Sequence, residues 1–303
     1  MSQKILLIGG SGVIGFQLLK YFINNEFDVE FTYCKNSVPI KKGRNYLDIT
    51  DKDSTLKLIS NINPDLIIHT AALANVDLCE TNHELANSVN VLGTENILEG
   101  CKLTKSKIVY ISTSYVFDGK KEEYFEDDLT SPSTYYGKTK EESEKQIKNS
   151  GLNFLILRTD QPYCWTERWQ RSNSVVRVIQ TIKSSKPFEE ITDWYSNPTY
   201  VPNFVEGTMK LIQINTKGIY HLVGLDFISR YNWSLLVCEI FNLNKIFLKP
   251  ISSKKLNLPA KRQKINLNSQ KILHDANFRM IEVKEGLTQM SQINSNKNQF
   301  ESF

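Results

Sequence analysis

The sequence predicts an α/β fold in which a doubly wound parallel sheet carries helices on both faces. Short apolar runs typical of buried strands alternate along the first half with longer amphipathic segments typical of helices. The first apolar run ends in a glycine-rich turn that passes directly into a helical pattern. With 303 residues, the chain is long enough for one large α/β domain and a smaller second lobe.

The glycine-rich turn follows the apolar run at residues 4–8 and has the spacing GxxGxxG. Gly9 permits a tight strand-to-helix turn, Gly12 lets the backbone approach a pyrophosphate, and Gly15 lets the helix pack closely on the sheet. The start of the helix offers N–H groups and the positive end of its dipole to phosphates. The turn therefore predicts a dinucleotide site formed by Gly9, Ser11, Gly12, Val13, Ile14 and Gly15.

The remaining elements continue the alternation. Strands are predicted at residues 27–33, 65–69, 107–112, 154–158 and 219–223, and helices at 51–62, 84–101, 134–148, 175–183 and 204–214. Ligands of such sheets bind at the carboxyl ends of the strands. Residues 1–157 are therefore predicted as a Rossmann domain and 158–290 mainly as a substrate-binding lobe with segments that return to the first domain. Residues 291–303, rich in Asn, Gln and Ser, are predicted as a disordered tail.

Composition argues against several classes of partner. A net charge of +4 is too small to indicate nucleic-acid binding, and no apolar run is long enough to span a membrane. The five cysteines and four histidines show no metal-ligand spacing, which favours reduced thiols, a cytoplasmic location and no metal. A homodimer remains open. One basic patch is interpreted as a solvated loop face, although an anionic ligand could also use it: Lys254, Lys255, Lys261, Arg262 and Lys264.

The candidate chemistry lies on the predicted helix 134–148. Tyr136 and Lys140 are four residues apart and therefore lie one turn apart on one helix face. An ammonium group near a phenol is expected to lower the pKa of that phenol from about 10, which allows proton exchange near neutral pH. The same lysine can bind a nicotinamide ribose. Tyr-x-x-x-Lys is a common pattern, but here it follows a nucleotide-binding turn and a strand that ends in the hydroxyls of residues 112–114.

With these motifs the chain resembles the extended short-chain dehydrogenase/reductases, and within them the dTDP-4-dehydrorhamnose reductase group. The resemblance covers residues 3–290. Its most specific segments are Thr-Ser-Tyr-Val-Phe-Asp-Gly at 113–119 and Pro-Thr-Tyr at 198–200. Further matching segments are 9–15, 47–51, 69–72, 76–77, 90–91, 93–94, 158–159 and 218–222, together with Glu80 and the Tyr136/Lys140 pair.

The resemblance implies an NAD(P)H-dependent reductase of a nucleotide-linked 4-keto-6-deoxy sugar. Tyr136 would donate a proton to the sugar carbonyl oxygen, Thr113 would hydrogen-bond that oxygen, and Lys140 would bind the ribose. Asp48 and Ile49 would flank the adenine, Ala71 and Ala72 the dinucleotide backbone, and Asn90 would lie nearby. The implied substrate residues are Val76, Arg158, Trp165, Pro198, Thr199 and Tyr200. A helix cap at Asp48, a structural ion pair at Arg158 and a core position for Trp165 remain open.

The second predicted strand indicates which dinucleotide is preferred. NAD sites commonly end this strand with an acid that binds the ribose 2′-hydroxyl. This strand ends instead in Tyr-Cys-Lys-Asn at 33–36. Lys35 could therefore pair with a 2′-phosphate, which predicts NADP(H) as the preferred cofactor with NAD as the alternative. Lys35 as a plain solvent-facing turn residue also remains open.

Three departures from the family pattern affect the substrate side. The family usually has Asp at the position of Ser114, and Ser-Trp-Val-Tyr-Gly where this chain begins Asp160-Gln161-Pro162. The usual Asp-Gln before the Pro-Thr-Tyr segment is Asp193-Trp194 here. Two other functions are weighed: a non-catalytic nucleotide-binding subunit, like the regulatory subunit of methionine adenosyltransferase, and a nucleotide-sugar epimerase. The presence of a proton donor at Tyr136 favours an enzyme over a pure binder.

Overall fold

A parallel sheet forms the centre of the computed structural model, which describes residues 3–294. The strands of this part of the chain are β1 (Lys4–Ile8), β2 (Asp28–Tyr33), β3 (Arg44–Tyr46), β4 (Leu66–His69), β5 (Lys107–Thr113), β6 (Phe154–Thr159), β7 (Pro162–Tyr163), β8 (Phe188–Ile191), β9 (Tyr195–Ser196), β10 (Thr199–Tyr200), β11 (Gly218–His221), β12 (Ile228–Ser229) and β13 (Leu248–Ile251). Seven of them form one sheet in the order β11-β6-β5-β4-β1-β2-β3, with all neighbours parallel. This confirms the predicted doubly wound α/β fold.

Helices cover both faces of the sheet. They are α1 (Val13–Asn24), α2 (Lys52–Ile62), α3 (Val76–Thr81), α4 (His83–Asn87), α5 (Gly93–Thr104), α6 (Tyr135–Lys148), α7 (Ser174–Lys183), α8 (Val201–Gln213), α9 (Arg230–Ile240), α10 (Gln270–Ala276) and α11 (Val283–Asn294). A π-helical turn, Ser88–Leu92, joins α4 to α5. The predicted helix 84–101 is therefore interrupted, a feature that its amphipathic pattern does not show. No helix of the described residues is long and apolar enough to cross a membrane.

The two faces of the sheet pack into two apolar clusters. Leu6 and Ile8 of β1 point into one cluster, and Ile5 and Leu7 point into the other. The second cluster continues through α7, α9 and α11, so much of the region after residue 158 shares its core with the sheet. Three small sheets, β7/β10, β8/β13 and β9/β12, complete this region.

The C-terminal segment differs in part from its prediction. Helix α11 extends to Asn294, so the first four residues of the predicted tail are helical. Residues 295–303 lie outside the described part of the chain.

Candidate active site

The glycine-rich turn has a geometry that only glycine accommodates at two positions. Gly9 has φ +90°, and a Cβ there would lie 2.7 Å from the backbone nitrogen of Ala71. A Cβ at Gly15 would collide with the carbonyl oxygen of Gly9, so α1 lies directly against the turn. The turn is held to β2 because the Gly9 nitrogen donates to Thr32 Oγ1 at 3.1 Å. The predicted close approach of helix, turn and strand is therefore present.

The start of α1 faces this turn. Its N-cap is Gly12, and no side chain of the described residues caps it. The first N–H groups of a helix have no partner within the helix, so they suit phosphate oxygens. Ser11 precedes this helix start, and Val13 and Ile14 form its first positions. Their contact with a dinucleotide stays a prediction. Gln170, which the sequence did not indicate, donates from Nε2 to the carbonyl oxygens of Ser11 and Gly12 at 3.1 and 3.0 Å.

The residues expected beside the adenosine lie at the ends of β2 and β3. Asp48 accepts from the nitrogen and hydroxyl of Thr50 at 3.0 and 2.8 Å, whereas Asp51 is the cap of α2. Asp48 is therefore not the helix cap that the sequence left open. Ile49 is buried against Gly93, where a Cβ would lie 2.7 Å from Ile49 Cδ1.

Lys35 is exposed two residues beyond β2. Nearby, the Arg44 guanidinium lies over the Tyr33 ring and donates to the carbonyl oxygen of Val38 at 3.0 Å. Arg44 is a second cation at this edge that the sequence analysis did not select. No acidic residue lies directly after β2, where residues 34–36 are Cys-Lys-Asn.

Asn90 joins the loop after β4 to helix α6. Its Oδ1 accepts from the Leu73 nitrogen at 2.8 Å, and its Nδ2 donates to Thr139 Oγ1 at 3.0 Å. Ala71 and Ala72 lie in the same loop, next to the glycine turn. Asn90 belongs to the π-helical turn, a feature that occurs frequently at functional sites. Asn90 thus connects the predicted dinucleotide side to the helix that carries Tyr136 and Lys140.

Helix α6 brings Tyr136 to Thr113 at the end of β5. The helix begins after Thr134, whose hydroxyl accepts from the Gly137 nitrogen at 3.2 Å. A Cβ at Gly137 would collide with the carbonyl oxygen of Tyr115, so α6 lies directly against the segment after β5. Val76 packs against the same cluster as Tyr115 and Tyr136. The Thr113 hydroxyl lies within hydrogen-bonding reach of the Tyr136 phenol. That both contact one substrate oxygen stays a prediction.

The pKa of Tyr136 is raised, contrary to the sequence-based expectation. Burial of the phenol raises the pKa, and the Thr113 hydroxyl lowers it by less. The reason is desolvation, which disfavours the phenolate in this enclosed position.

Lys140 is almost fully buried, and its Nζ donates to the Ile111 carbonyl oxygen at 2.8 Å. The Nζ also lies 4.0 Å from the centre of the Tyr110 ring. Burial lowers the pKa of Lys140 to about 7, and the negative charge of Glu144 opposes this shift. The Lys140 side chain therefore changes between its charged and neutral forms near neutral pH.

Several residues expected on the substrate side are instead packed in the structure. Arg158 is buried in an ion pair with Glu144, which is the structural alternative that the sequence left open. Trp165 donates from Nε1 to the Met290 carbonyl oxygen at 2.8 Å and packs edge-on against Phe241. These contacts hold the lobe together. The expected substrate contact of Arg158 is corrected, because its side chain is buried in the ion pair. The expected substrate contact of Trp165, which is half-buried, stays a prediction.

Pro198, Thr199 and Tyr200 are also buried. Thr199 and Tyr200 form β10, which pairs with β7, and the Tyr200 ring lies 5.5 Å from that of Tyr163. A loop that was expected to present side chains to a substrate is therefore part of the core. The restricted geometry of Pro198 favours this short extended pairing.

A cationic region lies near Tyr115. Trp194 lies between the guanidinium groups of Arg230 and Arg262, at 5.0 and 5.2 Å from its ring centre. Arg262 pairs with Asp77 at 2.6 Å, and its Nε is buried without a hydrogen-bond partner among the described residues. From the sequence, Arg262 belongs to a basic patch that is either a solvated loop face or a contact for an anionic ligand. A cavity of about 340 Å³ beside it is lined by Asp118, Gly119, Lys120, Ser131, Pro132, Ser133, Asp193, Lys261, Arg262, Gln263 and Lys264.

The family model described as "RmlD substrate binding domain" matches residues 3–295. The chain belongs to this family. It is 31% identical over 247 residues to a dTDP-4-dehydrorhamnose reductase of Aggregatibacter actinomycetemcomitans, covering 78% of each protein. It is 28% identical over 256 residues to methionine adenosyltransferase 2 subunit beta of Xenopus tropicalis, covering 82% of this chain and 75% of that protein.

A solved structure of dTDP-4-dehydrorhamnose reductase from Bacillus anthracis, in complex with NADP, has a TM-score of 0.85 and 28% identity. The match covers 96% of this chain and 99% of that one. The resemblance to the dTDP-4-dehydrorhamnose reductase group is thereby confirmed.

Proposed function

We propose that the protein is an NADPH-dependent reductase of nucleotide-linked 4-keto-6-deoxy sugars. The observation that carries this proposal is the convergence of Thr113, Tyr136 and Lys140 at the end of β5. A chain of contacts joins this group to the glycine turn through Ala71, the adjoining loop and Asn90. The relatives named as dTDP-4-dehydrorhamnose reductases support the same reaction.

The residues of the glycine turn and the start of α1 fit the diphosphate of a dinucleotide. Lys35 and Arg44 offer cations at the end of β2, where an NAD site commonly has an acid. The Bacillus anthracis relative, solved with NADP, agrees with a preference for the phosphorylated dinucleotide. When bound, NADPH supplies the hydride that reduces the sugar carbonyl.

Tyr136 acts as the general acid in this proposal. Burial holds its proton on the phenol oxygen until negative charge develops on the sugar carbonyl oxygen. Thr113 donates a hydrogen bond to the same oxygen. Lys140, in its charged form, stabilises the phenolate that remains and binds the nicotinamide ribose. Since the pKa of Lys140 is held near 7, the charged form predominates only below about neutral pH.

The substrate side is proposed to lie between Val76 and the Trp194–Arg262 pair. Val76 supplies an apolar wall beside Tyr136. The diphosphate of a nucleotide sugar is anionic, and Lys261, Arg262 and Lys264 present cations at the neighbouring cavity. This assignment replaces Arg158 and the 198–200 segment as candidate substrate residues.

The test is an NADPH oxidation assay with purified protein. The substrates are dTDP- and UDP-linked 4-keto-6-deoxyglucose, with NADPH consumption followed by absorbance. We expect turnover with at least one of the two and a much slower rate for Tyr136→Phe. Absence of NADPH consumption with every 4-keto sugar nucleotide would contradict the proposal.

A second candidate is a non-catalytic subunit that binds a dinucleotide. The relatives named methionine adenosyltransferase 2 subunit beta favour it. A stable complex with catalytic methionine adenosyltransferase subunits in size-exclusion chromatography, together with no NADPH consumption, would support this alternative. A binder has no need for the buried proton donor Tyr136, which is why we place the reductase first.

A further inference from the structure

A buried carboxyl group lies next to the proposed proton donor. Asp160 directly follows β6, and Ser114 directly follows β5. The two strands are paired in parallel with Thr113 opposite Thr159. Ser114 and Asp160 therefore leave the sheet side by side, at the edge where Tyr136 meets Thr113.

Asp160 has no cationic partner of its own among the described residues. Its side chain is 4% exposed, and its Oδ2 accepts from the Asn197 nitrogen at 3.2 Å. The nearby guanidinium of Arg230 is instead paired with Glu190 at 3.1 Å. An unpaired buried carboxylate is unfavourable, so the neutral acid is favoured. Burial accordingly raises the pKa of Asp160 to about 7.

Four groups near Asp160 favour its negative charge. The backbone nitrogens of Asn197 and Gln161, the Ser114 side chain and the Arg230 charge all favour its ionised form, but by less than burial opposes it. The other neighbours are two phenols, Tyr115 and Tyr136. Ionised Asp160 raises the pKa of both phenols, because its negative charge opposes a second negative charge nearby.

We propose that Asp160 is a positioning residue whose charge controls when Tyr136 can release its proton. The neutral carboxyl group permits a phenolate at Tyr136, whereas the carboxylate opposes it. Asp160 acts through Tyr136 and does not touch the sugar. This inference rests on the proposed reductase function. It also gives a role to the Asp160 carboxyl group in a chain that has serine at position 114, where the family usually has aspartate.

The first test compares kcat against pH for the wild type, Asp160→Asn and Asp160→Ser. In the wild type, kcat for reduction should fall on the order of tenfold as the pH rises from about 6 to about 8. Asp160→Asn keeps the size of the side chain and should show a shallower fall, with the residual slope due to Lys140. The double variant Ser114→Asp/Asp160→Ser restores a carboxyl group at this edge of the sheet and should recover the steep pH dependence that Asp160→Ser lacks.

An equal slope in wild type and Asp160→Asn would overturn the inference while the reductase function stands. A double variant with the same shallow pH dependence as Asp160→Ser would also overturn it. Asp275→Asn, on α10 and outside this cluster, is the matched control and should keep the wild-type profile.

The second test needs no turnover. Between about pH 4 and pH 7, folded Asp160 holds a proton that the unfolded chain has released. The wild-type free energy of unfolding should therefore fall relative to Asp160→Asn as the pH rises through this range. A constant difference would overturn the inference. If no 4-keto sugar nucleotide is reduced, the reductase function is wrong, and these unfolding data still decide whether Asp160 holds its proton.

Discussion

Glu144 and Arg158 form a fully buried, two-point ion pair between helix α6 and strand β6. Arg158 Nε lies 3.0 Å from Glu144 Oε1, and Nη2 lies 2.7 Å from Oε2. Ser112 of β5 donates to the same Oε1 at 2.6 Å. Glu144 is one turn after Lys140 on α6. This pair therefore holds the helix with Tyr136 and Lys140 against β5, which ends in Thr113, and β6, which Asp160 follows.

Breaking this ion pair should lower the free energy of unfolding. Glu144→Ala leaves the Arg158 charge buried and unpaired, and we expect a loss of about 3–5 kcal/mol in the free energy of unfolding. The matched control is Lys145→Ala, which removes an exposed pair with Glu141 on the same helix and should cost about 0.5 kcal/mol. Urea unfolding measures both. Equal losses for the two variants would contradict a stabilising role of the buried pair.

Tyr136→Phe should remove turnover and leave cofactor binding nearly unchanged. The variant loses only the phenolic hydroxyl, and general acid catalysis typically contributes about 10²–10⁴-fold to the rate. The adjacent Tyr135 provides a matched control, because its hydroxyl accepts from Asn87 and its ring stacks on His83. Tyr135→Phe should keep the wild-type kcat. Steady-state kinetics and NADPH titration calorimetry check these outcomes, and a wild-type rate for Tyr136→Phe would show that another group donates the proton.

Lys35→Ala should weaken binding of NADPH more than that of NADH. The exposed ammonium can pair with the 2′-phosphate, an interaction that NADH lacks. We expect about a tenfold rise in the Kd for NADPH, since a charge-assisted hydrogen bond contributes roughly 1.5 kcal/mol. Lys102→Ala, in the last turn of α5, is the control. Titration calorimetry with both dinucleotides decides the point, and tighter binding of NADH than NADPH by the wild type would reverse the cofactor assignment.

Tyr200→Ala should destabilise the protein without a selective effect on substrate KM. Tyr200 is 3% exposed and packs against Tyr163, whose hydroxyl donates to the Val283 carbonyl oxygen. Loss of a buried aromatic ring costs about 3–5 kcal/mol. Tyr46→Ala, which truncates an exposed ring on β3, should cost well under 1 kcal/mol. Thermal unfolding checks the difference, and a raised KM with unchanged stability would return Tyr200 to the substrate side.

The sequence by itself determined six of the seven strands of the central sheet, the glycine turn and the position of Tyr136 and Lys140 on one helix face. The short edge strand β3 was not predicted. These features depend on local patterns: apolar runs, glycine spacing and a four-residue interval on a helix. The order of secondary elements was equally accessible in the first half, where strands and helices alternate regularly. The order was harder to predict after residue 214, where the sequences of the short strands and of helices α9 to α11 lack a strong hydrophobic periodicity.

Only the tertiary structure decided which polar and aromatic residues face the site and which are packed. Arg158 and Asp160 are two residues apart, yet one is neutralised by Glu144 and the other has no cation of its own. Arg262 is paired with Asp77, 185 positions earlier in the chain. Such contacts depend on strand register and long-range packing. Burial then shifts the pKa values of Tyr136, Lys140 and Asp160, because desolvation outweighs the charges and hydrogen bonds around them.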